Sequence, residues 1–166
     1  MCEQGAAGGT SRLTIDLQES IMNVTKSILA GGILLLALLP LSLPAAERGA
    51  GATLYGRTLL EQINLYRRDN GLHPLRFDAN LIHLARTHSF AMSRQKMVGH
   101  ANFDDRFARS GSRLCVENVG YNYTSPLKQF DAWSRSRGHD QNMLSPEITR
   151  AGIAEIGRYV TFFACK

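Results

Sequence analysis

The first half of the chain spaces its apolar residues as α-helices do. Between residues 53 and 69 they recur every three or four positions, the spacing of one buried helix face: Leu54, Leu59, Leu60, Ile63 and Tyr66. Asn70-Gly71 is typical of a helix end. A second helix is predicted from Asp78, a residue that caps N-termini, to about Arg94. Its expected buried side comprises Leu81, Leu84, Ala85, His88, Phe90, Ala91 and Met92.

The spacing of apolar residues changes in the middle of the chain. Residues 100–111 show no regular spacing, which predicts an irregular loop anchored by Phe103 and Phe107. Residues 116–122 form an apolar run that predicts a strand, with Gly120 at a bulge or a close backbone contact. Pro126 is suited to the first position of a third helix, whose apolar stripe comprises Leu127, Phe130 and Trp133.

The last part of the chain predicts a short helix over residues 139–144 and a closing β-hairpin. The two strands of the hairpin are residues 151–156 and 158–164, with a turn near Gly157. Helices come first and strands mixed with a helix follow. This order favours an α+β domain in which helices pack on an antiparallel sheet.

The N-terminal segment is expected to lie outside that domain. Residues 22–27 carry Lys26 ahead of a leucine-rich apolar run that ends near Leu43, and small residues follow before Glu47. This is the pattern of a secretory signal peptide over residues 22–46, although an uncleaved anchor is an alternative. Residues 1–21 are interpreted as a start-site extension with Met22 as the initiator, and residues 47–53 as a linker to a domain over 54–166.

Composition and charge narrow the class of protein. The chain has 166 residues, enough for one domain with a full core. Its net charge is +5, but the basic residues are scattered and not interleaved with aromatic residues. Nucleic-acid binding is therefore not expected. We expect membrane contact only through the N-terminal segment, and a monomer.

Two cysteines remain once the N-terminal segment is set aside, Cys115 and Cys165. In an exported domain they most simply form one disulfide bond, with two buried thiols as the alternative. The bond would join the central strand to the last strand.

Three ionisable residues are candidates for a functional site: His100, Glu117 and His139. Two neutral imidazoles and a carboxylate are a common set of zinc ligands, with a fourth position open to water. Each also has a structural alternative: His100 or His139 could cap a helix, and Glu117 could accept backbone N–H groups. His88 lies on an inward helix face and is interpreted as a core or supporting residue, not a ligand.

Four stretches resemble the superfamily of cysteine-rich secretory proteins, antigen 5 and pathogenesis-related proteins (the CAP or SCP domain), in its compact bacterial form. They are residues 60–75, residues 85–100, the Glu117-Asn118-Val119 signature, and residues 133–154. The resemblance implies a three-layer α-β-α sandwich, export, and a cavity lined by two histidines and acidic residues that often binds a divalent metal. It also assigns Asn118 a supporting role beside Glu117.

One departure from the family pattern weakens the metal prediction. Many larger members carry a second glutamate shortly after the tryptophan of the third helix, whereas Trp133 is followed here by Ser134, Arg135 and Ser136. The leading hypothesis is an exported module that binds a divalent metal, zinc first, or a small ligand. The alternatives are a metal-assisted hydrolase of the envelope or extracellular space, and an interaction domain with a vestigial cavity. No nucleophile or protease motif is present, so no catalytic residue is assigned.

Overall fold

The computed structural model describes residues 51–166, which form five helices and four strands. The elements in chain order are α1 (Leu54–Asp69), β1 (Arg76–Phe77), α2 (Ala79–Gln95), α3 (Phe103–Ser110), β2 (Cys115–Tyr121), α4 (Pro126–Ser134), α5 (Arg137–Met143), β3 (Arg150–Ile156) and β4 (Tyr159–Cys165). The predictions for residues 1–50, including the signal peptide, lie outside the described residues. Among the described helices, none combines the length and the apolar character that a membrane crossing requires.

The sheet has the strand order β1-β3-β4-β2, and its three long strands are antiparallel as predicted. Strands β3 and β4 form the predicted hairpin, and β2 pairs along the other edge of β4. The sequence interpretation missed β1, a two-residue strand parallel to β3. A strand this short carries no readable period, and its pairing with Arg150 and Ala151 is a long-range contact.

Helices cover both faces of the sheet and give the predicted α-β-α layers. Adjacent residues of β4 point to opposite faces, so Phe162 joins the cluster under α1 and α4 while Phe163 joins the cluster under α2. Leu59 and Ile63 are fully buried on the first side, each worth about 1.5–3 kcal/mol of burial. Gly152 lets α2 lie directly on β3, because any Cβ there would collide with the backbone of Leu81.

Helix α3 replaces the irregular loop predicted for residues 100–111. A helix of eight residues is too short to show a clear apolar periodicity in the sequence. This helix is stabilised by packing: Phe103 stacks on Phe107 and contacts Phe163 edge to face. The predicted Phe103 anchor is thus present within a helix. Three other residues expected to be inward, Leu54, Phe90 and Leu127, are more than half exposed, because each lies off the apolar stripe of its helix.

The predicted disulfide bond between Cys115 and Cys165 is present, and the alternative of two thiols is excluded. The two cysteines are register partners at one end of β2 and β4. The bond closes a loop of 50 residues, which is worth about 4 kcal/mol on the chain-entropy model. It fixes the strand that carries Glu117, two residues further along.

Candidate functional site

Glu117 lies at the centre of the site, on β2 and 5% exposed. Arg106 of α3 binds it with two hydrogen bonds, from Nε to Oε2 and from Nη2 to Oε1, both 2.8 Å. Its third nitrogen, Nη1, donates to the carbonyl of Ala101 at 2.7 Å. A buried carboxylate must be compensated, and this forked guanidinium both neutralises its charge and fixes its orientation.

His100 contacts the same carboxylate from the exposed side. Its Nδ1 lies 2.9 Å from Oε1 of Glu117, and about half of its side chain is accessible to solvent. Because the carboxylate only accepts hydrogen bonds, we assign the proton of the neutral imidazole to Nδ1. Nε2 then carries a lone pair on the far side of the ring. The structure thus brings two of the three candidate residues, His100 and Glu117, into contact.

His88 lies on the buried side of the cluster. It is buried on α2, its Nε2 lies 2.8 Å from the carbonyl oxygen of Gly99, and the same nitrogen is 3.7 Å from Oε1 of Glu117. Burial lowers the pKa of His88, with the charges of Arg106 and His100 acting in the same direction against Glu117. The ring is therefore a neutral donor that holds the loop carrying His100.

His139 lies on α5, and the hydrogen bonds of the Glu117 carboxylate go to Arg106 and His100 instead. The ring of His139 packs near Trp133, with centroids 6.2 Å apart, and its Nδ1 is buried with no partner among the described residues. Burial lowers the pKa of His139, and the charge of His100 acts in the same direction.

Asn118 hydrogen-bonds to the backbone of His139. Its Nδ2 donates to the carbonyl of His139 at 2.9 Å, and its Oδ1 accepts from Nδ2 of Asn142, also at 2.9 Å. Asn142 donates in addition to the carbonyl of Glu117. These bonds attach α5 to β2, so both halves of the site are mounted on one strand.

Sequence reasoning missed two residues of this site. Arg106 is one of the scattered basic residues of the sequence. It nevertheless shares one helical face with Phe103, Phe107 and Ser110, and a cation on an inward face indicates a buried anion. Gln129 precedes Trp133 by four residues and is fully buried, but neither its Oε1 nor its Nε2 has a partner within residues 51–166. A buried, unpartnered polar atom costs about 1–3 kcal/mol, so a residue of this kind needs an explanation.

The sequence of the chain is similar to that of a known protein family. Residues 60–161 match the model of the cysteine-rich secretory protein family, CAP. The chain is 26% identical over 114 residues to the uncharacterized protein YkwD of Bacillus subtilis, which covers 64% of this chain and 44% of that protein.

Solved structures share the fold at lower identity. An extracellular protein containing an SCP domain from Bacillus anthracis matches with a TM-score of 0.64 and 21% identity, over 68% of this chain and 40% of that one. An outer surface protein from Borrelia burgdorferi matches with a TM-score of 0.62 and 16% identity, over 66% of this chain and 90% of that one. The chain therefore spans less than half of YkwD and of the B. anthracis protein.

Proposed function

Because the chain belongs to the cysteine-rich secretory protein family, we propose that it is an exported binding module whose cleft takes a small ligand, a divalent cation first, between His100 and His139. The observation that carries the proposal is the Glu117 carboxylate, held by Arg106 and bonded to Nδ1 of His100 at 2.9 Å. With its proton on Nδ1, the imidazole of His100 presents the lone pair of Nε2 to a ligand.

The residues fit a cation in a different way from the zinc shell expected from sequence. Both oxygens of Glu117 accept hydrogen bonds from Arg106, so the carboxylate fits as the orienting partner of His100 and not as a ligand. Metal-binding histidines commonly donate their second N–H to such a carboxylate. Within residues 51–166, no group of three His, Cys, Asp or Glu residues could hold a metal ion together. His100 and His139 would hold the cation, which would supply a Lewis acid to a bound ligand.

Zinc titration by calorimetry at neutral pH tests this proposal. The protein should bind zinc saturably, and His100→Ala and His139→Ala should each abolish binding, because each removes one of two imidazoles. The matched control is His83→Ala, which removes an exposed histidine of α2 remote from the cleft. No saturable binding by the unchanged protein, or equal binding by all variants, would contradict the cation site.

The His100–Glu117 pair also favours a second function, hydrolysis, because a carboxylate-oriented imidazole is the arrangement of a general base. His100 would take a proton from water at Nε2 while Glu117 stabilises the imidazolium. Hydrolysis of p-nitrophenyl acetate above the buffer rate, lost in His100→Ala and retained in His83→Ala, would support it. A rate equal to buffer would leave binding as the function.

Export is proposed from the signal-peptide pattern over residues 22–46. Two of the structural neighbours, an extracellular protein and an outer surface protein, support it. N-terminal sequencing of the protein recovered from its host should give a chain that begins at Ala46 or Glu47. A mature protein that retains residues 1–21 would contradict both the start-site and the cleavage predictions.

A further inference from the structure

A pocket of about 280 Å³ opens beside His139, and we name it the Gln129 pocket. Val119 and Trp133 form apolar walls, while Tyr121 and Tyr123 lie at its exposed side, 44% and 38% exposed. The Gln129 side chain and Nδ1 of His139 are the buried polar groups of the pocket that lack a partner among the described residues. None of the residues that line the pocket is Asp, Glu, Lys or Arg. The pocket is thus built for an uncharged guest with both polar and apolar parts.

The amide of Gln129 is fully buried in this wall. The side chain packs directly on the backbone of Gly120, where any Cβ would occupy the position of the amide. Both of its polar atoms lack a hydrogen-bond partner among the described residues. A neighbouring ring, that of Trp133, does have its partner: Nε1 donates to the carbonyl of Val119 at 3.1 Å. Among the buried side-chain nitrogen and oxygen atoms of the described residues, only the two amide atoms of Gln129 and Nδ1 of His139 lack a hydrogen-bond partner.

We propose that the Gln129 pocket binds an uncharged amide group of a ligand. A primary carboxamide carries an N–H on the same side as its C=O, and the Gln129 side chain offers the complementary pair, Oε1 to accept and Nε2 to donate. A trans peptide bond, whose N–H and C=O point in opposite directions, forms one of these two hydrogen bonds. The aromatic walls pack against the apolar flanks of such a group. A carboxylate or an ammonium would enter without a counter-charge, so charged ligands are disfavoured.

This proposal extends the cleft described under the proposed function and rests on its being a binding site, because the two share His139. The probes and the residues tested are different. Zinc binding depends on His100, whereas amide binding depends on Gln129. Loss of one with retention of the other therefore shows which of the two proposals has failed.

The test uses N-methylpropionamide, a mimic of a peptide bond, and propionamide, a primary carboxamide, with the ester methyl propionate as a matched probe that lacks the N–H. Trp133 is the only tryptophan of the chain and lines the pocket, so its fluorescence reports occupancy directly. The side-chain NH₂ signals of Gln129 in a ¹H–¹⁵N spectrum give a second readout. Tighter binding of one amide probe identifies whether the natural group is a peptide bond or a free carboxamide.

Gln129→Met keeps the length of the side chain and removes both polar atoms. We expect saturable amide binding by the unchanged protein, at least tenfold weaker binding of the ester, and at least a tenfold loss of amide binding in Gln129→Met. Gln141→Met changes an exposed residue of α5 and should bind like the unchanged protein.

A stability measurement keeps the variant informative. Since Gln129 has no partner among the described residues of the folded protein, Gln129→Met should melt at the same temperature or a higher one. A lower melting temperature would mean that the amide is already paired internally, and the proposal would be overturned. It would also be overturned by ester binding as tight as amide binding, by unchanged binding in Gln129→Met, or by no saturation with either amide probe up to its solubility limit.

Discussion

Two regions of this domain bury polar side chains, and they do so in opposite ways. Arg67 on α1 is 1% exposed and donates to four backbone carbonyls, those of His73, Met143, Ser145 and Ile148. At the cleft, Gln129 and Nδ1 of His139 are buried without partners among the described residues, and His100 is half exposed. The first region is complete within the protein, whereas the second is not.

The difference is the one expected between a structural role and the binding role proposed above. The guanidinium of Arg67 donates hydrogen bonds to several carbonyls and so joins the loop after α1 to the segment before β3. Its contribution is to stability alone. Groups left unpartnered reduce stability, so their presence together in one pocket is expected of a site that a ligand completes. Glu117 has features of both regions. Arg106 hydrogen-bonds to both of its carboxylate oxygens, and the half-exposed His100 bonds to one of them.

The largest effect should come from breaking the complete region. Arg67→Ala leaves four carbonyls without their donor, and we expect the free energy of unfolding to fall by about 5 kcal/mol, a large share of the stability of a domain. Urea denaturation measures it. Arg68→Ala, an exposed neighbour, should change stability by no more than about 0.5 kcal/mol. A loss in Arg67→Ala as small as in Arg68→Ala would remove the contrast between the two regions.

The disulfide tests how far the cleft depends on a fixed β2. Replacing Cys115 and Cys165 together by alanine should lower the free energy of unfolding by about 4 kcal/mol, since the bond closes a loop of 50 residues. Urea denaturation under oxidising conditions measures the loss. Under reducing conditions the unchanged protein should approach the double variant. A double variant as stable as the oxidised protein would show that strand pairing alone holds β2 in place.

Next in size is the pair at the centre of the site. Arg106→Met leaves a buried carboxylate uncompensated and should cost about 3 kcal/mol of unfolding free energy. Adding Glu117→Gln should recover part of that loss, because the uncompensated charge is removed. Denaturation of both single variants and the double variant gives the coupling energy between the two residues. Strictly additive losses would mean that the ion pair does not organise the cluster.

The smallest effect is a pH dependence from His88. Burial, with Arg106 and His100, lowers its pKa, so the unfolded chain binds a proton at a higher pH than the folded protein. The free energy of unfolding should therefore decline as pH falls from about 7 towards 5. His88→Gln should make this decline shallower, with His139, whose pKa is also lowered by burial, accounting for part of what remains. His83→Gln, an exposed control, should leave the decline unchanged. Equal slopes in all three proteins would place the titration elsewhere.

Much of the fold was readable from the sequence because long helices and strands repeat their pattern. The 3.6-residue spacing identified α1 and α2, and the apolar runs identified β2 and the closing hairpin. Helix α3 was missed because its eight residues depend on Phe163 and Glu117, which follow it in the sequence. Phe90 was misjudged because an apolar side chain near a helix face need not lie on it.

The sequence by itself determined the α+β class, the family, the disulfide partners, and the candidates His100, Glu117 and His139. These depend on local periodicity or on residue identity. Only the tertiary structure decided that Arg106 hydrogen-bonds to both carboxylate oxygens of Glu117 and that, of the two candidate histidines, His100 alone bonds to this carboxylate. It also decided that the Gln129 amide is buried without a partner among the described residues. Such properties depend on which long-range neighbours surround a group and on how much water it has lost, and neither quantity is encoded in the spacing of residues along a chain.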